Sequence, residues 1–222
     1  MRCVRIWFAK EGNAKYISHL DIVRCMSRAA RRAGLPLWYT EGFNPHPYLM
    51  FALPLSLGLS SQCESMDIRI EGEMADVEIE ARMRAVMPEG LRILSVREPM
   101  MQPSEIAFAD YRAQLCFDAP ELAAGFLHGA GAALAGESLI VQKPGKSGHK
   151  KVMKEIDLLP HIASCSMEQK EHAVKLILPA GNQTNISPAL LLDALEEKAG
   201  VQDEGREITR MALLTKDLKM FE

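Results

Sequence analysis

The chain has 222 residues, of which 48% are hydrophobic and 25% charged, and its formal net charge is −3. These values predict an ordinary soluble protein of one large or two small domains, and no stretch approaches the roughly 20 apolar residues of a membrane span. The five cysteines are scattered without a C-x-x-C pair, which argues against a disulfide framework, an iron–sulfur cluster or a zinc site held by this chain alone. No metal and no cofactor are expected. The N-terminus does not resemble a secretory signal, so a reducing cytoplasm is the expected location.

The first predicted elements are a strand and a helix. In RCVRIWFAK, residues 2–10, two sets of side chains alternate with the period of a strand. The helix begins after Ser18, a good N-cap with Asp21 as its capping-box partner, and ends at Gly34. Apolar residues at three- and four-residue spacing predict its buried stripe. They are Leu20, Val23, Met26, Ala30 and Ala33.

A short extended piece, a proline-rich segment, a strand, a second helix and a strand complete the first half. The order β-α-β-β-α-β is that of a ferredoxin-like unit. After the linker PMMQPSE the pattern repeats with one extra segment. The sequence therefore predicts an α+β fold of two ferredoxin-like units packed together, over residues 1–99 and 104–222, with a basic loop at 143–154 in the second.

Basic residues gather in two islands. Residues 1–41 carry eight Lys and Arg against three acidic residues, and residues 138–154 carry five lysines and no acidic residue. On the first helix, the i, i+4, i+7 spacing of three arginines predicts one ridge of guanidiniums suited to phosphate, with a fourth beside it. The alternatives are a solvated helix face, with Asp21 pairing one arginine, and a solubilising lysine loop. The candidate phosphate contacts are Arg24, Arg28, Arg31 and Arg32 on the helix and Lys150 and Lys151 in the loop.

The segment GFNPHP holds an amide and an imidazole between prolines. Each proline fixes its own φ and favours an extended conformation of the residue before it, so Asn44 and His46 are preorganised at low entropic cost. Together with the stacking face of Phe43, these groups suit recognition of an RNA base. The alternative is a rigid edge segment that blocks aggregation. His19, in the first turn of the first helix, is either an acid–base group or a histidine bonded to the backbone.

Most of the chain resembles the radical SAM-linked domain family of unknown function, and the run from Ser18 to Glu64 is the most specific part of the resemblance. The motifs that carry the resemblance are FAKEG, SHLD, RRAGLP, GFNPHP and PLSLG, with KEIDLLPHI and Arg210 further on. This resemblance implies an accessory role, in which the chain presents a substrate to a radical SAM enzyme or regulates it. The chain lacks the C-x-x-x-C-x-x-C motif that holds a radical SAM cluster, so it is not expected to generate radicals.

The leading hypothesis is a non-catalytic accessory protein that binds RNA or a ribosomal component for a radical SAM partner. One alternative is a metal-independent endoribonuclease in which His19 and His46 form an acid–base pair. The other is a protein-interaction module whose proline-rich segment docks on the partner enzyme. The distance between His19 and His46 discriminates the nuclease from the rest.

Overall fold

The computed structural model describes residues 1–147, 150–168, 172–181 and 184–222, without the side chains of 144–147 and 150–152. It combines strands with α-helices, which confirms the α+β class. The chain forms two compact units, and the first consists of Met1–Ala107 together with Thr209–Glu222. The second is Phe108–Ile208.

The strands of the first unit form a sheet in the order β4-β1-β3, and both β2 and β10 pair with β3. The predicted β-α-β-β-α-β order is present from the first strand to the fourth. The elements are β1 (Arg2–Lys10), α1 (His19–Arg32), β2 (Leu49–Phe51), β3 (Ser60–Ile70), α2 (Asp76–Arg84), β4 (Leu91–Arg97) and β10 (Gly205–Thr215).

The last strand changes the predicted domain boundaries. β10 pairs parallel with β3 at Thr209 and Arg210, so the end of the chain belongs to the first unit and not to a continuous domain over 104–222. The first sheet therefore contains more than the four strands of a ferredoxin-like unit. That description stays a prediction for both units.

The main core of the first unit lies between its two helices and one face of the sheet. Alternate residues of β1, such as Val4 and Ile6, pack there against α1 and α2. The predicted stripe of α1 is confirmed at Met26, Ala30 and Ala33, which are buried. Its first turn is wrong, because the helix buries Ile22 there while Leu20 is 67% exposed. Two residues correspond to about 200° around a helix, so the two side chains cannot face the core together. The residues that α1 buries are Ile22, Met26, Ala29 and Ala30.

In the second unit three strands pair in the order β5-β9-β8, and two others form a separate antiparallel hairpin. Its two long helices pack against each other where Gly129 meets Ala199. No helix within the described ranges is long and apolar enough to cross a membrane. The elements are β5 (Ile106–Cys116), α3 (Pro120–Leu134), β6 (Ile140–Ser147), β7 (Lys150–Asp157), β8 (Ser164–Glu168), β9 (Ala173–Pro179) and α4 (Pro188–Ala199).

The hairpin corrects the predicted basic loop. β6 and β7 pair over eight residues, from Ile140 opposite Asp157 to Ser147 opposite Lys150. The lysine-rich composition suggested a loop, but backbone pairing with the partner strand orders this stretch as a strand on each side. Lys143 in β6 also donates from Nζ to the carbonyl oxygen of Asn185 at 2.8 Å.

Candidate functional site

The arginines of α1 all lie on the solvent side of the helix. Arg24 donates to the Asp21 carboxylate at 3.1 Å, and Arg32 donates to the carbonyl oxygen of Val86 at 3.0 Å. Within the described part of the chain, Arg28 and Arg31 are exposed and form no ion pair. The alternative of a paired, solvated helix face therefore describes Arg24, whereas Arg28 and Arg31 are free to meet an anion.

The start of α1 forms as its sequence predicts. The Ser18 hydroxyl accepts a hydrogen bond from the backbone N–H of Asp21 at 3.2 Å and donates to the Asp21 carboxylate at 2.6 Å. The hydrogen bond with Ser18 lowers the pKa of Asp21, and the hydrogen bond with Arg24 is the second cause of this shift. The cap thus fixes where the helix begins, and with it the direction in which the arginines point.

The GFNPHP segment forms the tip of a hairpin. Its arms close where the Thr40 N–H donates to the His46 carbonyl oxygen at 2.9 Å, and Tyr39 bridges to Pro47. All residues from 41 to 46 are exposed, and the Phe43 side chain is fully so at 105%. Nδ1 of His46 lies 3.0 Å from the Asn44 carbonyl oxygen and 3.1 Å from Thr40 Oγ1. The tip is therefore held by bonds within itself while its side chains face solvent.

A cation–π stack anchors this hairpin to β3. The guanidinium of Arg69 lies 4.2 Å from the ring centroid of Tyr48 and 5.4 Å from that of Trp38. The Trp38 N–H donates to the Arg69 carbonyl oxygen at 2.9 Å, so backbone and side-chain contacts coincide. The hairpin tip thus extends from a rigid base.

The two histidines of the nuclease alternative lie in different places. The His19 ring packs edge-on to Phe51, with the centroids 5.2 Å apart. His46 precedes Phe51 by five residues along an extended arm, which corresponds to about 16 Å. Among the described residues the His46 ring is within hydrogen-bond distance of Thr40 and Asn44, and no hydrogen bond joins it to His19. An extended arm of this length separates the two imidazoles by more than a hydrogen bond or one bridging water spans.

Behind these surfaces, three charged residues are buried together in the first unit. Nε and Nη2 of Arg210 both donate to the Glu64 carboxylate, and Nη2 also donates to the Leu53 carbonyl oxygen at 2.9 Å. Nζ of Lys10 donates to the carbonyl oxygens of Lys15 and Ile17. Burial lowers the pKa of Lys10, and the charge of Glu64 opposes that shift.

This ion cluster, defined as Lys10, Glu64 and Arg210, acts on the backbone around it. Lys10 fixes the turn that precedes the Ser18 cap, and Arg210 fixes the proline-rich segment at Leu53. The family motifs in the sequence include these three residues, but no role was predicted for them. The signal was present, since Lys10 ends an apolar strand and Arg210 interrupts another, and a buried charge requires a partner.

The remaining candidates add little to the site. Burial raises the pKa of Cys63 to about 12, so its thiol stays protonated and is not a nucleophile at neutral pH. The side chains of Lys150 and Lys151 lie outside the described residues.

Comparison with known proteins gives one family. The model of the family described as "Uncharacterized protein conserved in bacteria (DUF2344)" matches residues 3–188. No curated protein sequence matches the chain. A chain in "Crystal Structure of a Cbf5-Nop10-Gar1 Complex" is 14% identical with a TM-score of 0.49, over 95% of this chain and 48% of that one. An unknown protein from Galdieria sulphuraria is 12% identical with a TM-score of 0.27, over 94% and 98%. This chain spans about half the length of the first, and likenesses of this strength carry no functional implication.

Proposed function

This chain belongs to the bacterial family DUF2344, and we propose that it is a non-catalytic accessory protein that binds RNA for a radical SAM enzyme. The observation that carries the proposal is the exposed pair Arg28 and Arg31, which form no ion pair in the described ranges and stand on the same helix face as Arg24. Guanidiniums one turn apart repel each other mildly, and an external phosphate relieves that repulsion.

The hairpin tip supplies the second part of the surface. Phe43 offers a stacking face, and Asn44 and His46 offer hydrogen-bonding groups, all on exposed residues of a closed hairpin. Such a tip suits an unpaired RNA base, because stacking tolerates any base and the polar groups read its edge. The RNA partner is thus a single-stranded or looped region, and a ribosomal component fits that class.

The radical SAM partner is supported by the motifs between Ser18 and Glu64, which resemble the radical SAM-linked family.

An exposed apolar cluster is a specific observation in favour of the protein-interaction alternative. Tyr16 and Leu57 are 66% and 64% exposed, and Leu20 is similarly exposed nearby. The Gly58 N–H donates to the Lys15 carbonyl oxygen, which brings the two segments together. We assign this cluster to contact with the partner enzyme.

The test is the salt dependence of binding to a generic single-stranded RNA. Replacing Arg28 and Arg31 with alanine removes two phosphate contacts, so the slope of log K against log salt should flatten by about 1.4 units, or about 0.7 for each contact with a single strand. The matched control is the double variant Arg82→Ala and Arg84→Ala, which removes the same charge from α2, where both arginines pair with glutamates. An unchanged slope in the first variant, or an equal change in the control, contradicts the proposal.

A further inference from the structure

The face of the first sheet that points away from α1 and α2 has an unusual composition. Arg5 and Trp7 of β1 lie there, opposite Asp67 and Ser65 of β3 in the strand register. All four residues are buried. A second apolar core would carry aliphatic side chains at these positions, whereas this face carries an ion pair, an indole and a hydroxyl.

The charges on this face are satisfied, and the neutral polar groups are not. Arg5 donates to both oxygens of Asp67, at 2.7 and 2.9 Å. Nε1 of Trp7 and Oγ of Ser65 are buried without a hydrogen-bond partner among the residues that the structure describes. Buried polar groups in native proteins have a hydrogen-bond partner in about nine cases of ten. Two such groups without a partner, on directly opposed residues, therefore indicate that a ligand with polar atoms could pair with them.

One aromatic side chain covers the face. Phe221 is only 2% exposed, its ring centroid lies 5.9 Å from that of Trp7, and the Arg5 guanidinium lies 4.5 Å from it. Arg5 also donates to the backbone oxygen of Glu222 at 2.9 Å. A phenyl ring stacks with an indole and a guanidinium, but it has no acceptor for the Trp7 N–H or the Ser65 hydroxyl.

The segment that delivers Phe221 is a strained turn. Leu218 has φ +57, a left-handed conformation that leucine rarely adopts. The turn closes through bonds between Thr215 and Lys219, and residues 216 to 220 are exposed. Backbone contacts also hold this cover: the Phe221 N–H donates to the Leu213 carbonyl oxygen at 2.9 Å, Met220 bridges to Leu214, and the Met101 N–H donates to the Glu222 carbonyl oxygen at 3.0 Å. The strain at Leu218 opposes these contacts and favours release of the cover.

We propose that this face binds a nucleobase, a planar heterocycle with hydrogen-bond acceptors, and that Phe221 is a built-in occupant that the base displaces. The base stacks on Trp7 in place of the phenyl ring and accepts from the Trp7 N–H, while the Ser65 hydroxyl meets a second polar atom of its edge. The inference rests on the proposed function in one respect only: it takes the base to belong to an RNA strand. The site itself would bind a free nucleoside in the same way.

The test follows the fluorescence of Trp7 in the full chain. The chain has two tryptophans, so a Trp38→Phe background leaves Trp7 as the only indole. Adenosine, guanosine, cytidine and uridine are titrated in turn against this background with and without Phe221→Ala. Saturable quenching by at least one nucleoside, at least tenfold tighter with Phe221→Ala, is expected. Phe221→Leu removes the stacking ring but keeps most of its volume, so it should tighten binding in the same direction by a smaller factor, and it replaces the alanine variant if that variant unfolds.

Two further variants separate a binding site from a loosened core. Ser65→Ala added to Phe221→Ala should weaken the nucleoside about tenfold. Leu218→Gly relieves the strain of the cover and should weaken binding about threefold in the chain that retains Phe221. Absence of saturable quenching in both Phe221 variants, with their folds intact by circular dichroism, overturns the proposal, as does an affinity that Ser65→Ala leaves unchanged.

The source of the base is read from a short oligoribonucleotide titrated in parallel. Affinity more than tenfold above that of the nucleoside supports an RNA base, and equal affinity supports the same site with a free nucleoside as its ligand. Nucleosides carry no phosphate and are not attracted by Arg28 or Arg31. The nucleoside titration therefore tests this site independently of the salt-dependence experiment, which tests the arginines.

Discussion

Both units of the protein bury arginine–carboxylate contacts, but the two units balance their charges differently. In the first, Arg5 and Arg210 each donate with two nitrogens to a carboxylate on β3. In the second, Arg206 contacts three carboxylates, each at 2.8 Å. Those carboxylates are Asp193, Glu196 and Asp203.

Three carboxylates share one guanidinium in the second unit, so two acid groups are in excess there. Burial, followed by a hydrogen bond with Asp203, raises the pKa of Glu196 to about 7, although Arg206 acts in the opposite direction. Near neutral pH the Glu196 carboxyl is thus partly protonated. The comparison teaches that a guanidinium divided among three carboxylates does not keep the pKa of the buried Glu196 at its ordinary value.

The largest expected effect comes from breaking the ion cluster of the first unit. Glu64→Ala leaves Arg210 and Lys10 buried without this carboxylate, and the free energy of unfolding should fall by about 3–5 kcal/mol. Tryptophan fluorescence during urea unfolding reports this unit, since Trp7 and Trp38 both lie in it.

The control for this variant is Glu78→Ala, which removes an exposed partner of Arg82 and should cost less than about 1 kcal/mol. If both variants lose the same free energy of unfolding, the buried ion cluster contributes no more to stability than an exposed ion pair.

The next effect tests the second unit through pH. The folded state holds the Glu196 proton up to about pH 7, whereas the unfolded chain releases it near the ordinary value of 4.5. This group therefore stabilises the fold below about pH 4.5, and its contribution is lost as pH rises towards 7 and above. Between pH 5 and 8 the loss should reach roughly 2–3 kcal/mol.

Glu196→Gln, which cannot titrate, should abolish this part of the pH dependence in urea unfolding followed by far-ultraviolet circular dichroism. Glu197→Gln, on the exposed side of the same helix, should leave it in place. A wild-type profile in the Glu196 variant would disprove the raised pKa of Glu196.

The smallest effect extends the comparison from charge to packing. A Cβ on Gly129 would lie 2.5 Å from Cα of Ala199, so Gly129→Ala should push α3 and α4 apart and cost about 1–3 kcal/mol. Gly131 is in the same helix with nothing within 4 Å, and Gly131→Ala should stabilise by about 0.5–1 kcal/mol. Thermal unfolding of both variants checks the pair, and the same sign in both would refute the close contact.

Local patterns in the sequence predicted local structure well. The alternation in β1, the Ser18 cap and the exposure of Arg28 and Arg31 all depend on residues a few positions apart. The stripe on α1 was right at Met26, Ala30 and Ala33 and wrong in its first turn, because Leu20 and Ile22 are both apolar and the spacing alone does not choose between them.

Features that depend on distant pairing were missed. The parallel contact between β10 and β3 has no local signal, and neither has the meeting of Lys10, Glu64 and Arg210. The hairpin of β6 and β7 was taken for a loop because its lysines and glycines are typical of loops, while its order comes from the partner strand. The exposed residues of the candidate site could thus be predicted from the sequence, whereas the buried ion cluster behind them could not.

The pairing of β10 with β3 also sets the order in which the protein is completed during synthesis. The ribosome delivers Met1–Ala107 first, then the whole of Phe108–Ile208, and only afterwards Thr209–Glu222. At about 5–20 residues per second the delay is on the order of 5–20 s, during which Ser60 and Ser61 lack their β10 partners and Glu64 lacks Arg210. The unit that begins first is therefore finished last, and the nascent chain carries an open strand edge for that whole interval.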